Sequence, residues 1–157
     1  MLATVTGYSV GLFIHILAVV LAFGPTFGYG FFVALADTQA PRAVPAVHRA
    51  VRMTNLFLVT PAMIIVLAAG IYLMADGDWG NQSWITVGFI AIIVLFGLVH
   101  AFFNPRTKKA IELAERDLAA GGELSDEYRR TSAQMARVGQ LAGLIVAVTI
   151  FFMVVKP

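Results

Sequence analysis

Three histidines, His15, His48 and His100, are the side chains of this sequence best suited to ligate a metal or haem iron or to pass a proton. None lies three or four residues from another, so no helix presents two on one face. There is no cysteine to complete a zinc or iron–sulfur set. Paired carboxylates, a nucleophile beside a base and a glycine-rich phosphate loop are not found at the spacings that their chemistry requires. What remains is axial ligation of haem b by His15, with Met63 as the second ligand nearest in depth. His100 and Gln140 are further polar candidates set in apolar sequence.

The elements that must position these residues are membrane spans. Of 157 residues, 59% are hydrophobic and 13% charged, more apolar surface than a water-soluble core can absorb. Crossing a hydrocarbon core of about 30 Å takes about 20 helical residues. Four segments qualify: Tyr8 to Ala36, Leu56 to Ala75, Trp84 to Phe103 and Val138 to Val155. The expected fold is an all-α, single-domain bundle of four transmembrane helices. At ~1.5 Å per residue the first span reaches about 43 Å and must tilt, kink or protrude, with Pro25 as the natural kink.

These spans set the depth of each histidine. At ~1.5 Å per residue, His15 lies about 11 Å below the outer edge and His100 roughly 5 Å inside the inner edge. His48 falls about 10 Å beyond it. Three levels argue against a bis-histidine site within one chain, and metal binding by the histidines fails on the same ground. His15 is expected to be satisfied by a neighbouring helix more readily than by a ligand. His100 is expected at the interface, and His48, between basic residues, to face solvent or anionic lipid.

Orientation follows from charge. Ten of the eleven basic residues fall in the loops between the first and second and between the third and fourth spans. By the excess of Lys and Arg on cytoplasmic loops, both termini are expected outside an inner, cytoplasmic membrane. Trp79 and Trp84 are placed as interfacial anchors around a short acidic loop, Asp76 to Asn81. Nucleic-acid binding has no further footprint in the charge pattern.

The inner segments read as helices. Asn104 and Pro105 suit the start of a new one, with Lys108, Glu112 and Arg116 on one face and Ile111, Ala114 and Leu118 on an apolar stripe. Gly121 and Gly122 end it, and Ser125 caps the next, which runs into the fourth span. A cytoplasmic hairpin over residues 105–137 follows. Pro45 is expected to start a helix that enters the second span.

Small residues should bring helices together. Gly7, Gly11, His15, Ala18, Ala22 and Pro25 share a stripe of the first span, which turns His15 toward protein. Gly24 with Gly28, and Gly139 with Gly143, form two further close-approach motifs.

The first span, FIHILAVVLAFGPTFGYG, and the exit from the third, VHAFFNPRTKKAIELAERD, resemble the predicted bacterial integral membrane proteins grouped as domain of unknown function 2269. A more distant resemblance is to four-helix proteins of the copper-resistance D type and the membrane protoporphyrinogen oxidase type, which also carry a histidine early in the first helix. That resemblance implies haem b at His15 and porphyrin or electron-transfer chemistry. It extends to His15 alone, since the first span holds no basic residue and no second buried histidine matches its depth.

Packing signals outnumber chemical constellations. The expected role is therefore a non-enzymatic or accessory bundle protein in a homo-oligomer or larger membrane complex. The alternatives are a haem b redox protein using His15, and a small-solute channel or carrier with a path past Thr60, Gln140 and Thr149. No Asp, Glu, Lys or Arg lies deep in a span, which counts against an ion pump.

Overall fold

The computed structural model describes residues 5–77, 79 and 82–156. Asp78, Gly80 and Asn81 of the acidic loop lie outside the described residues. Helix α1 (Gly7–Gln39) is followed by a short 3-10 turn, then α2 (Val44–Thr54) and α3 (Thr60–Asp76). Helices α4 (Ser83–Gly97), α5 (Asn104–Ala119) and α6 (Asp126–Val155) complete the chain. Four helical rods, Gly7–Gln39, Pro41–Asp76, Ser83–Ala119 and Asp126–Val155, are long and apolar enough to cross a membrane, so the fold is a four-helix transmembrane bundle.

Local sequence explains where the rods begin and end. Thr6 and Ser9 form a reciprocal capping box at the start of α1. Ser125 accepts from the amide of Tyr128 at the start of α6, where Asp126 and Glu127 complement the helix dipole. Gly121, at φ 71°, ends α5 in the left-handed conformation that glycine adopts without strain.

Pro105 does not start a new helix, as its sequence suggests. A π-helical turn, Leu98–Phe103, carries α4 into α5 without a break, and Asn104, inside the rod, donates its amide to the carbonyl of Val99. The second rod repeats the arrangement: the π turn Asn55–Val59 joins α2 to α3 just before Pro61, and Thr60 donates its amide to Asn55. A proline lacks an amide hydrogen and its ring crowds the carbonyl four residues back. Widening the preceding turn by one residue accommodates it without breaking the rod.

Two cores are stacked along the bundle. The first lies within the spans and includes Ala18, Ala22, Ala62, Met63, Ile92, Leu95 and Val146. The second gathers Ala36, Val44, Ala110, Leu113, Ala114, Leu124 and Tyr128 at the basic end. α1 has 33 residues and is about 50 Å long at ~1.5 Å rise, longer than a ~30 Å hydrocarbon core, and its last turns join this second core through Ala36. The basic end is thus more than the hairpin read from sequence, because α2 packs along α5 as well. That contact rotates the buried face of α5 onto Thr107, Ala110, Leu113, Ala114 and Asp117, leaving Ile111 and Leu118 at its margins.

The α1 stripe packs on α3, the most extensive helix contact in the bundle. A Cβ at Gly11 would meet the Tyr72 ring at 2.6 Å, and one at Gly7 would meet its hydroxyl at 2.8 Å. These glycines make room for an aromatic ring. The other two motifs behave differently. A Cβ at Gly24 or Gly139 would meet nothing within 4 Å, and at Gly28 only Phe32 of the same helix. Only Gly143 faces the other helix, where a Cβ would meet the Phe27 side chain at 3.5 Å, and elsewhere α1 and α6 stand apart.

Candidate functional site

The gap between α1 and α6 is a cleft of about 940 Å³, at the upper end of the ~300–1,000 Å³ typical of small-molecule sites. Small residues create it: Ala133, Ala136, Gly139, Ala142 and Gly143 line the α6 wall, facing Gly30 and Ala34 on α1. Phe23, Phe27, Met63, Leu95 and Val146 close its deep end. Along α6 the cleft runs from Tyr128 to Val146, about 27 Å at ~1.5 Å per residue. It is long, narrow and mostly apolar.

Its other end is polar. The Tyr128 hydroxyl donates to Oδ1 of Asp37 at 2.6 Å, and its oxygen lies 3.0 Å from Nε2 of His48. With the tyrosine proton directed at Asp37, the contact requires a proton on Nε2 of His48. Ser132 donates to Oδ2 of Asp37 at 3.5 Å. The relay thus joins three rods: Asp37 from α1, His48 from α2, and Tyr128 and Ser132 from α6. Tyr128 is 1% and His48 2% exposed. Burial lowers the His48 pKa, opposed by the Asp37 charge. The tyrosine pKa is raised by burial and by the adjacent carboxylate.

His48 therefore does not face solvent or lipid. α2 buries Val44, Pro45 and His48 on one side and turns Arg49 outward to pair with Glu115 of α5. The flanking arginines mark the helix as basic, but its periodicity sends His48 inward. Asp37 and Tyr128 carry no sequence signal of a site. Asp37 reads as the first loop residue after a span, and Tyr128 as part of a polar surface helix. Only the overrun of α1 brings them together.

The sequence-identified candidates lie elsewhere, apart from Met63 and Gln140, which line the cleft. Nδ1 of His15 lies 3.1 Å from the carbonyl of Val66, and its ring packs near Gly70, one and two turns outward from Met63. Met63 borders the cleft and His15 does not.

His100 lies within the π turn of the third rod and faces the one of the second. Its Nε2 lies 3.3 Å from Oγ1 of Thr60, which donates to the carbonyl of Asn55 at 2.7 Å, and its Nδ1 lies 3.5 Å from Nδ2 of Asn104. These contacts tie the second and third rods where both are widened. Thr149 donates to Ile145 of its own helix. Of the suggested solute path, only Gln140 lines the cleft. Among the described residues no group of three or more His, Cys, Asp or Glu could hold a metal ion.

The buried Tyr29 hydroxyl has no hydrogen-bond partner among the described residues, while nearby Thr54 donates to the carbonyl of Ala50.

No curated protein and no solved structure matches the chain. The family model described as predicted integral membrane protein (DUF2269) matches residues 10–157, and the chain belongs to that family.

Proposed function

We propose that this protein is a non-enzymatic, accessory component of its membrane that binds an amphipathic molecule, drawn sideways from the bilayer into the cleft between α1 and α6. The observation that carries this reading is the cleft itself, whose apolar length ends in the polar group of Asp37, His48, Tyr128 and Ser132. Protein interiors are otherwise close-packed, and a large apolar cleft with a few convergent polar groups is the usual form of a small-molecule site.

Gly143→Phe tests the proposal. A Cβ at Gly143 is in ordinary contact with Phe27, at 3.5 Å, so the added ring must extend into the cleft. Lipid extracted from the wild-type protein after purification in mild detergent should contain a retained amphiphile, which the folded variant loses. Equal retention by both proteins would overturn the reading.

In this proposal the basic end faces the cytoplasm of an inner membrane and both termini face outside. The chain has no cysteine of its own. A cysteine at Gln82 should therefore label with an impermeant maleimide on intact cells while one at Gly122 should not, and the reverse pattern would invert the topology.

A further inference from the structure

The polar end of the cleft does not stop at the His48 relay. A second pocket, of about 600 Å³, adjoins it at the basic end, and Asp37, Leu124 and Arg129 line both. This pocket also takes in Arg42 and, at its rim, the almost fully exposed Glu123, whose carboxylate turns to solvent. One elongated site thus runs from a deep apolar end near Val146, past a carboxylate, to two guanidinium groups.

The charges at this junction are specific. Both oxygens of Asp37 are held by α6 hydroxyls, from Tyr128 and Ser132, so the carboxylate is fixed in position. Among the described residues no cation pairs with it, nor does any carboxylate pair with Arg42. Arg129 anchors its Nε on the carbonyl of Leu124 at 3.2 Å, and its guanidinium is only loosely met by Glu123 at 3.9 Å. A fixed negative group and two underused positive groups therefore stand together at the mouth of an apolar slot. The complementary ligand carries a positive and a negative group on one head, and a hydrocarbon tail.

We infer that the site binds a zwitterionic phospholipid with a primary amine head, of the phosphatidylethanolamine type. This inference rests on the amphiphile reading above and names the class of guest. The ammonium donates to Asp37, and the phosphate lies against Arg129 and Arg42 as a charge-assisted contact. The acyl chain follows the small-residue wall of α6 toward Val146. The amine matters because a primary ammonium offers hydrogen-bond donors to the carboxylate and a trimethylammonium does not. A purely anionic head would bring a second negative charge to Asp37 and be disfavoured.

The test uses the full-length protein in detergent, titrated with phosphatidylethanolamine, phosphatidylcholine and phosphatidylglycerol of identical acyl chains, with bound lipid read by native mass spectrometry. Wild type should prefer the ethanolamine lipid by about tenfold over the other two. Asp37→Asn should abolish the preference over phosphatidylcholine while still binding lipid. Arg129→Gln should weaken all three together. The wild-type comparison decides even if the Asp37 variant does not fold. Equal binding of the ethanolamine and choline lipids, or preference for phosphatidylglycerol, overturns the assignment and leaves the amphiphile reading standing. Failure of wild type to bind any of the three, or undiminished binding by Gly143→Phe, overturns both.

Discussion

Nε2 of His48 and the hydroxyl of Tyr128 lie 3.0 Å apart, although the two residues are eighty positions apart in sequence. The bond joins the helix that leads into the second span to the one that leads into the fourth. Because the same hydroxyl reaches Asp37, it also fastens the end of the first.

Tyr128→Phe keeps the ring and removes this junction. His48 is left with a buried donor and Asp37 loses its shorter hydrogen bond, so the variant should be less stable by about 1–3 kcal/mol. Thermal unfolding in detergent should show a lower midpoint than wild type, and Ser132→Ala, which loses only a 3.5 Å contact, should shift it much less.

Acidification should loosen the same junction. The His48 pKa is lowered from an ordinary 6.5, so as pH falls below that value the unfolded chain takes up a proton that the folded one resists. Stability is therefore fully present above the unfolded pKa and declines as pH falls from there toward the folded one. Unfolding midpoints at a series of pH values should show this decline, and His48→Gln, which keeps a donor but cannot titrate, should lack that part of it.

Asp117 acts at lower pH. Its Oδ2 accepts the Ser125 amide at 2.8 Å and its Oδ1 accepts from Arg116, closing the Gly121–Gly122 turn. The Ser125 bonds, followed by Arg116, hold its pKa down to about 2 from 3.8. The contribution is present above the unfolded value and is lost as pH falls through the folded one. Amide exchange in the turn should accelerate in Asp117→Asn at neutral pH, whereas wild type should resist until the medium is strongly acidic.

At the opposite end, Gly11→Val should displace the Tyr72 ring, which already stands where a Cβ would go. Overpacking of this kind costs about 1–3 kcal/mol. The double variant Gly11→Val, Tyr72→Ala should recover much of the loss in a thermal unfolding series, and no recovery would mean that the glycine serves another contact.

The bundle was legible because its evidence is additive: apolar runs, flanking charges and caps each mark the chain locally. His15 was legible in the same way, since its stripe of small neighbours turned it toward protein, where it meets Val66. The cleft was not, because a small residue reads alike whether a helix packs on it or a void opens over it. Gly11 receives Tyr72, whereas Gly139 meets nothing within 4 Å. Asp37 and Tyr128 were missed for another reason. Their partnership depends on how far α1 overruns the membrane and on α2 folding back along α5, and both are settled by tertiary packing.

The paired π turns carry a mechanical consequence. Each adds one residue to its rod, and one residue of helix corresponds to a rotation of about 100°. The turn at Asn55–Val59 therefore sets the angular phase of α2 relative to α3, and with it the direction in which His48 points. Deleting a single residue there would leave the apolar composition of the span almost unchanged while swinging the histidine away from Tyr128. The turn works as a fixed gear between the half of the rod that meets lipid and the half that carries the relay.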